Sequence, residues 1–302
     1  QKLSGESAEQ ATGLWLVIKG AYPQLSSAVV LKHGMQLLSA ITQCLETYKE
    51  NEECCKVVLE IFVLVTTTIA SKKQLFTKHY RSKIMQQLIV DERGQVRKLA
   101  HRVLAHALEA YSKRVHDPNE DSKNTEQMSA FRDFNCNFIV QSLRRQGGNS
   151  TTIFFAHFLR ANLQYFSVDH QSSLLRALVP FCGRAGQAKV AEQVFNVLTA
   201  LGERPEALAA HDEGGLIGSC LESLQQLKVT GQDSRYISTY LKAIASLSKA
   251  PSLPVQTIAM SLESVAPLLV EAAREGFHNV KDACSALFTA SSHKDPAGLA
   301  VC

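Results

Sequence analysis

The sequence predicts an all-α fold built from antiparallel helix pairs, and three observations predict it. Apolar residues recur at helical spacing in one segment after another. Glycines and prolines punctuate those segments at short intervals. Segments that read as the inner helices of the repeats begin near residues 8, 53, 95, 151, 186, 233 and 277, a mean repeat of about 45 residues, within the range of about 40–47 for HEAT or armadillo units. The reading is a single HEAT/armadillo-like solenoid of about seven helix pairs over residues 1–302, with one exposed loop at 112–126.

Taken in order, residues 8–20 form a short apolar helix with the chain's single tryptophan, Trp15, and Tyr22-Pro23 ends it. A long amphipathic helix follows over 24–48, with Val29, Val30, Leu37, Leu38, Ile41 and Leu45 facing inward and Gly34 marking a bend or a close approach. Residues 54–69 carry Val57, Val58, Ile61, Phe62, Leu64 and Val65 and leave little polar surface. The β-branched run at 63–69 also suits a strand, but sixteen residues without a turn signal favour a central helix. A basic helix over 75–90 precedes the turn 91–94.

That turn opens the most regular stretch, DERGQVRKLAHRVLAHALEAY at 91–111. Val96, Leu99, Ala100, Val103, Leu104, Ala107 and Leu108 make one apolar stripe, and Arg97, Lys98, Arg102 and Glu109 lie off it. Ala100 is small enough to let a partner helix approach. Arg97 and Lys98 sit in the first turn, where the helix dipole disfavours cations. Two readings stand for them: an ion pair with an acid of a neighbouring repeat, or a ligand contact.

Residues 112–126 lack apolar periodicity, contain Asp117-Pro118-Asn119, and read as a long loop, either an insertion or a partner-binding segment. Helices follow over 127–146, with Phe131, Phe134, Phe138, Ile139 and Leu143, and over 151–166, with Phe154, Phe155, Phe158, Leu159 and Leu163. Gly147-Gly148 separates them. Three further pairs are expected: 169–182 with 187–201, 205–227 with 234–247, and 254–273 with 278–290. Pro205 and Pro254 suit first turns, whereas Pro180 and Pro267 predict kinks or early stops. Val280-Lys281 with Cys284, Leu287 and Phe288 echoes Val96-Arg97 with Ala100, Val103 and Leu104.

Composition bounds the function. The 302 residues are 45% hydrophobic and 20% charged, a folded composition able to bury about three quarters of the unfolded surface. The chain starts at Gln1 without a methionine and is expected to be a piece of a longer protein. Its apolar runs stop short of the roughly 18–20 residues that span a bilayer, so no membrane association is expected. Cys44, Cys54, Cys55, Cys136, Cys182, Cys220, Cys284 and Cys302 are scattered without a CxxC and read as reduced core thiols.

The net charge of +4 is modest, but its distribution is not even. Between residues 72 and 102 lie Lys72, Lys73, Lys78, Arg81, Lys83, Arg93, Arg97, Lys98 and Arg102 against only Asp91 and Glu92. This segment is either an ordinary solvated face or a surface for RNA or another partner. No phosphate loop, dinucleotide fingerprint, HExxH or GxSxG occurs, and Gly214-Gly215-Leu216-Ile217-Gly218 lacks the lysine of a phosphate loop. His101 and His106 stand about 140° apart around one helix and would not share a metal. No enzyme activity, cofactor or metal is expected.

The order of features, VRKLAHRVLAHAL, a polar loop, CNFIVQSLRRQGGNSTTIFFAHFLRANLQYF, LLRALVPFC, AKVAEQVFNVLTAL, YISTYLKAIASL and VKDACSALF, resembles the N-terminal HEAT-repeat half of the ribosomal RNA-processing protein 12 family. The resemblance runs through nearly the whole chain and rests on helix patterns rather than a signature motif. It implies a nucleolar and nuclear scaffold, shuttling to the cytoplasm, that binds pre-ribosomal RNA, assembly factors and ribosomal proteins on the small-subunit (90S/pre-40S) pathway and takes part in nuclear export. The alternative is a karyopherin or armadillo-type scaffold of the nuclear transport machinery, binding peptides or a Ran-type GTPase.

Overall fold

A computed structural model describes residues 7–69, 77–115, 122–146, 149–183, 187–212, 215–227, 229, 233–251, 253–275 and 278–292. They contain fifteen α-helices, three short 3-10 turns and no strand. The chain divides into two compact units, Gln1–Phe138 and Ile139–Cys302.

In the first unit, α1 (Ala8–Ala21) starts at a reciprocal cap: the Ser7 hydroxyl accepts from the Gln10 backbone N–H, and the Gln10 side chain accepts from that of Ser7. The Tyr22–Gln24 3-10 turn ends it at Pro23. Ser26 caps α2 (Ser27–Thr47), and Asn51 Oδ1 accepts from the Cys54 N–H, 2.8 Å away, at the start of α3 (Glu52–Ile69). α3 is the centre of the unit. It packs on α1, α2 and α6 (Gly94–Val115), and its side chains from Cys54 to Ile69 are mostly buried. The strand alternative fails because Thr66, Thr67 and Thr68 return their hydroxyls to the helical carbonyls of Phe62, Val63 and Leu64.

An aromatic chain fills the space between helices. Phe62 and Tyr80 have ring centroids 5.1 Å apart, Tyr80 meets Phe131 edge-on at 6.3 Å, and Phe131 lies 4.8 Å from Tyr111. The stripe expected on α6 is buried at all seven positions, and Tyr111 extends it. The inner helices of this unit stack in order, α1 on α3 and α3 on α6, which is the packing a helical repeat requires.

Three expectations for this unit change. The helix placed at 75–90 is two helices, α4 (Thr77–Tyr80) and α5 (Lys83–Ile89), because Ser82 turns extended and caps the second, its Oγ accepting from the Met85 N–H; residues 75 and 76 lie outside the described residues. The loop placed at 112–126 is shorter: α6 runs on to Val115 and α7 (Ser122–Gln146) begins before 126. Helix-forming side chains and the Glu109–Lys113 pair, 2.8 Å across one turn, carry α6 past the end of its apolar stripe. Residues 116–121 lie outside the described residues. Val29 is 44% exposed rather than inward, since it stands in the first turn of α2, before the packed face begins at Val30.

The second unit repeats the scheme. The inner helices α8 (Asn149–Asn162), α10 (Ala188–Gly202), α13 (Ser234–Leu247) and α15 (His278–Ser292) stack in sequence. Pro180 stops α9 (Val168–Leu178), which tightens into the Val179–Phe181 3-10 turn. The helix expected at 205–227 is divided into α11 (Pro205–Asp212) and α12 (Leu216–Gln225), because Gly215 takes φ +67°. α14 (Val255–Glu275) continues through Pro267 instead of stopping there. Phe195 packs edge-on against Tyr236 at 5.3 Å and Tyr240 at 5.6 Å, and the Tyr240 hydroxyl donates to the Leu224 carbonyl. His211, buried on α11, bonds Gln171 and Ser172 of α9 at 2.9 and 3.2 Å.

Candidate nucleic-acid and partner interface

The basic segment resolves into cations that hold the fold and cations that face water. Arg93 belongs to the first kind. Its Nε donates to Asp91 Oδ1 at 2.9 Å and its Nη2 to Asp91 Oδ2 at 2.7 Å, a two-pronged pair. The Arg93 backbone N–H donates to the same carboxylate, and Nη2 also donates to the Lys49 carbonyl of the preceding repeat at 2.7 Å. Arg97 donates from Nη1 to the Asp91 and Glu92 carbonyls of its own turn. Together they close the turn before α6 and fasten it to the turn after α2. The sequence offered Arg97 and Lys98 an acid of a neighbouring repeat or a ligand; the bonds described for Arg97 go to carbonyls of its own turn, and the contact that crosses repeats is made by Arg93, to a carbonyl rather than an acid.

The electrostatics agree with that role. Burial alone would raise the Asp91 carboxyl, but hydrogen bonds from the Arg93 side chain and backbone outweigh it and hold it below its ordinary value. Asp91 in turn raises the Arg93 guanidinium. Burial lowers that of Arg97, with Asp91 opposing.

Lys83, Lys98 and Arg102 are exposed. Lys98 and Arg102 stand four residues apart on α6, so both project from one side. Glu109 and Lys113 continue that side and pair with each other. α3, on which α6 packs, carries Glu53 and Glu60, and these pair with Lys56 at 2.5 Å and Lys19 at 2.6 Å. Those two acids are therefore offset by their own cations.

Of the other expected residues, Arg81 is half-buried between α4 and α5 and already engaged. Lys72 and Lys73 lie outside the described residues, as does the side chain of Lys78. The structure thus brings Lys98 and Arg102 onto one face and sets Arg93 and Arg97 into the turn beneath it. Lys113 was hidden from sequence reading because it fell in the supposed loop; its i,i+4 spacing from Glu109 is the signal that finds it. Among the described residues, no group of three or more His, Cys, Asp or Glu is placed to hold a metal ion, and no helix is long and apolar enough to cross a membrane.

No family model and no curated protein matches the chain. Solved structures do. One engineered protein is 16% identical over 85% of this chain and 96% of its own, with a TM-score of 0.50. A second is 15% identical over 85% of this chain and 98% of its own, with a TM-score of 0.51. A computationally designed armadillo repeat protein for modular peptide recognition is 14% identical over 84% and 99%, with a TM-score of 0.49. The chain has an armadillo/HEAT-like helical repeat fold. At these identities the likeness to the first two is one of fold, and it accords with the consecutive stacking of inner helices in each unit.

Proposed function

We propose that the chain is a non-catalytic scaffold in ribosome biogenesis, nucleolar and nuclear with passage to the cytoplasm, binding pre-ribosomal RNA and assembly factors on the small-subunit pathway. The observation that carries the RNA contact is the pair of exposed cations Lys98 and Arg102 on one side of α6. That helix is held by the Asp91–Arg93 clamp, so its cations stand on a rigid support, and Lys83 adds a third exposed charge on α5. Phosphate recognition needs such charge and tolerates sequence variation in the RNA. The pre-ribosomal setting rests on the resemblance of the helix order to the ribosomal RNA-processing protein 12 family. Stacked helix pairs suit a scaffold because they offer long open surfaces rather than a closed, desolvated pocket.

The test is affinity purification of the full-length protein from its own cells, with bound RNA and proteins identified before and after nuclease treatment. Recovery of precursor ribosomal RNA with small-subunit assembly factors supports the assignment. Recovery of a Ran-type GTPase and cargo without ribosomal precursors rejects it in favour of a transport scaffold.

A further inference from the structure

Cys44, in the last turn of α2, and Cys54, in the first turn of α3, place their Sγ atoms 3.7 Å apart. Ten positions separate them in sequence, a spacing that belongs to no familiar motif. Trp15 of α1 lies over the pair and donates from Nε1 to Cys44 Sγ at 3.1 Å. Asn51 fixes the position of Cys54 by capping α3. Cys55, the next residue, faces elsewhere, its thiol directed at the Tyr48 and Lys49 carbonyls at 3.6 and 3.4 Å.

From this geometry we propose that Cys44 and Cys54 form a reversible intrachain disulfide on exposure to hydrogen peroxide. The sulfurs need to close by about 1.7 Å to reach bonding distance, and the two helix ends joined by a short turn already hold them side by side. Both thiols are buried, so peroxide, a small neutral molecule, enters by local opening of α1 over the turn.

The thiols divide the chemistry between them. The hydrogen bond between the two thiols lowers Cys54, an effect that burial opposes and Thr12 assists. The same hydrogen bond and burial raise Cys44. Position gives the same order: Cys54 sits in the first turn of α3, where the helix dipole favours a thiolate, and Cys44 in the last turn of α2, where it does not, so Cys54 is the attacking thiolate. Its sulfur attacks one peroxide oxygen; the O–O bond breaks, leaving a sulfenic acid and a hydroxide that takes a proton to become water. The Cys44 sulfur then attacks the sulfenic sulfur; the S–S bond forms, the S–O bond breaks, and the departing hydroxide leaves with the Cys44 proton as a second water. One peroxide is reduced to two waters and two thiols are oxidised to one disulfide. Cys182 and Cys220 make the contrast: burial raises both, Cys220 to about 12 with the Arg176 charge opposing only in part.

The chain's single tryptophan touches the reacting pair, which supplies an optical readout. Titrating the full chain with hydrogen peroxide should give a loss of Trp15 emission that dithiothreitol reverses. Non-reducing peptide mapping should show a link between the Cys44 peptide and the peptide holding Cys54 and Cys55. C55S should keep both the link and the emission change, and C54S should lose both, with circular dichroism confirming that each variant is folded. A link that survives in C54S, links between chains instead of within one, or oxidation at Cys182 and Cys220 with none at Cys44 and Cys54 overturns the proposal. Mapping the unmodified chain decides the matter even where a variant fails to fold.

Discussion

Gly202 and Ser246 are in such close contact that a Cβ on the glycine would lie 2.5 Å from the serine's carbonyl carbon, carbonyl oxygen and Cβ. Gly202 ends α10 and Ser246 lies in the last turn of α13, so two stacked inner helices meet here backbone to backbone. The serine's backbone is fixed by its own helix and has no flexible atom to yield. Gly202→Ala should destabilise the chain by about 1–3 kcal/mol through overpacking, more than the gain of under about 1 kcal/mol in helix propensity. Urea denaturation followed by circular dichroism measures it; an unchanged midpoint means that α10 and α13 can part at no cost.

The Asp91–Arg93 clamp makes a prediction with a pH signature. Asp91→Asn removes a charge-assisted, two-pronged contact whose side chains are only 14% and 25% exposed, and should cost about 1.5–3 kcal/mol at neutral pH. Because the folded carboxyl titrates below its unfolded value, the stabilisation is fully present above the unfolded value near pH ~4 and disappears as pH falls through the folded one. Wild type and variant should therefore converge in acid. Arg93→Lys keeps the charge, loses the fork, and should fall between them.

Glu192 points the other way. It is buried on α10 and reaches the Nε of Arg235 at 3.1 Å, but the arginine side chain is 76% exposed and screened by water. Burial raises the Glu192 carboxyl, and Arg235 opposes this only in part. A raised carboxyl contributes most below its unfolded value and loses that contribution as pH rises through its folded value. Glu192→Gln should then stabilise the chain slightly at pH 7.5, by less than about 1 kcal/mol, with the advantage shrinking at pH 4.5. Paired denaturation curves at the two pH values check the sign.

These residues also show where sequence reading reached and where it stopped. The α6 stripe from Val96 to Leu108 was legible because one helix face decides it, and all seven positions are buried. The starts of the inner helices were legible for the same reason. Gly202 looked like punctuation, because its constraint comes from Ser246, one repeat away. The break at Ser82 was missed because Tyr80 is the one apolar residue between 77 and 83 and gives the helical period little to act on, while a single serine cap there starts a new helix. Asp91 read as half of an adjacent acidic pair; its role depends on Arg93 and on the Lys49 carbonyl that Arg93 joins to it. The basic segment was visible as charge, but which cations are spent within the fold is a matter of hydrogen bonds that charge alone does not encode.

That division yields the sharpest test of the RNA contact. Lys83→Glu, Lys98→Glu and Arg102→Glu together alter only exposed side chains, so the melting temperature should move little while affinity for single-stranded RNA falls. If each cation neutralises one phosphate, the slope of log affinity against log salt should shrink in magnitude by about 2, since each contact contributes roughly 0.7 on a single strand. Arg93→Glu is the instructive contrast: it should unfold the turn before α6 and lower stability, so any loss of binding would follow from the fold rather than from a phosphate contact. A triple variant with normal stability and an unchanged salt slope would show that RNA, if bound, lies elsewhere on the chain. A reduced slope with preserved stability would place phosphate on the exposed side of α6.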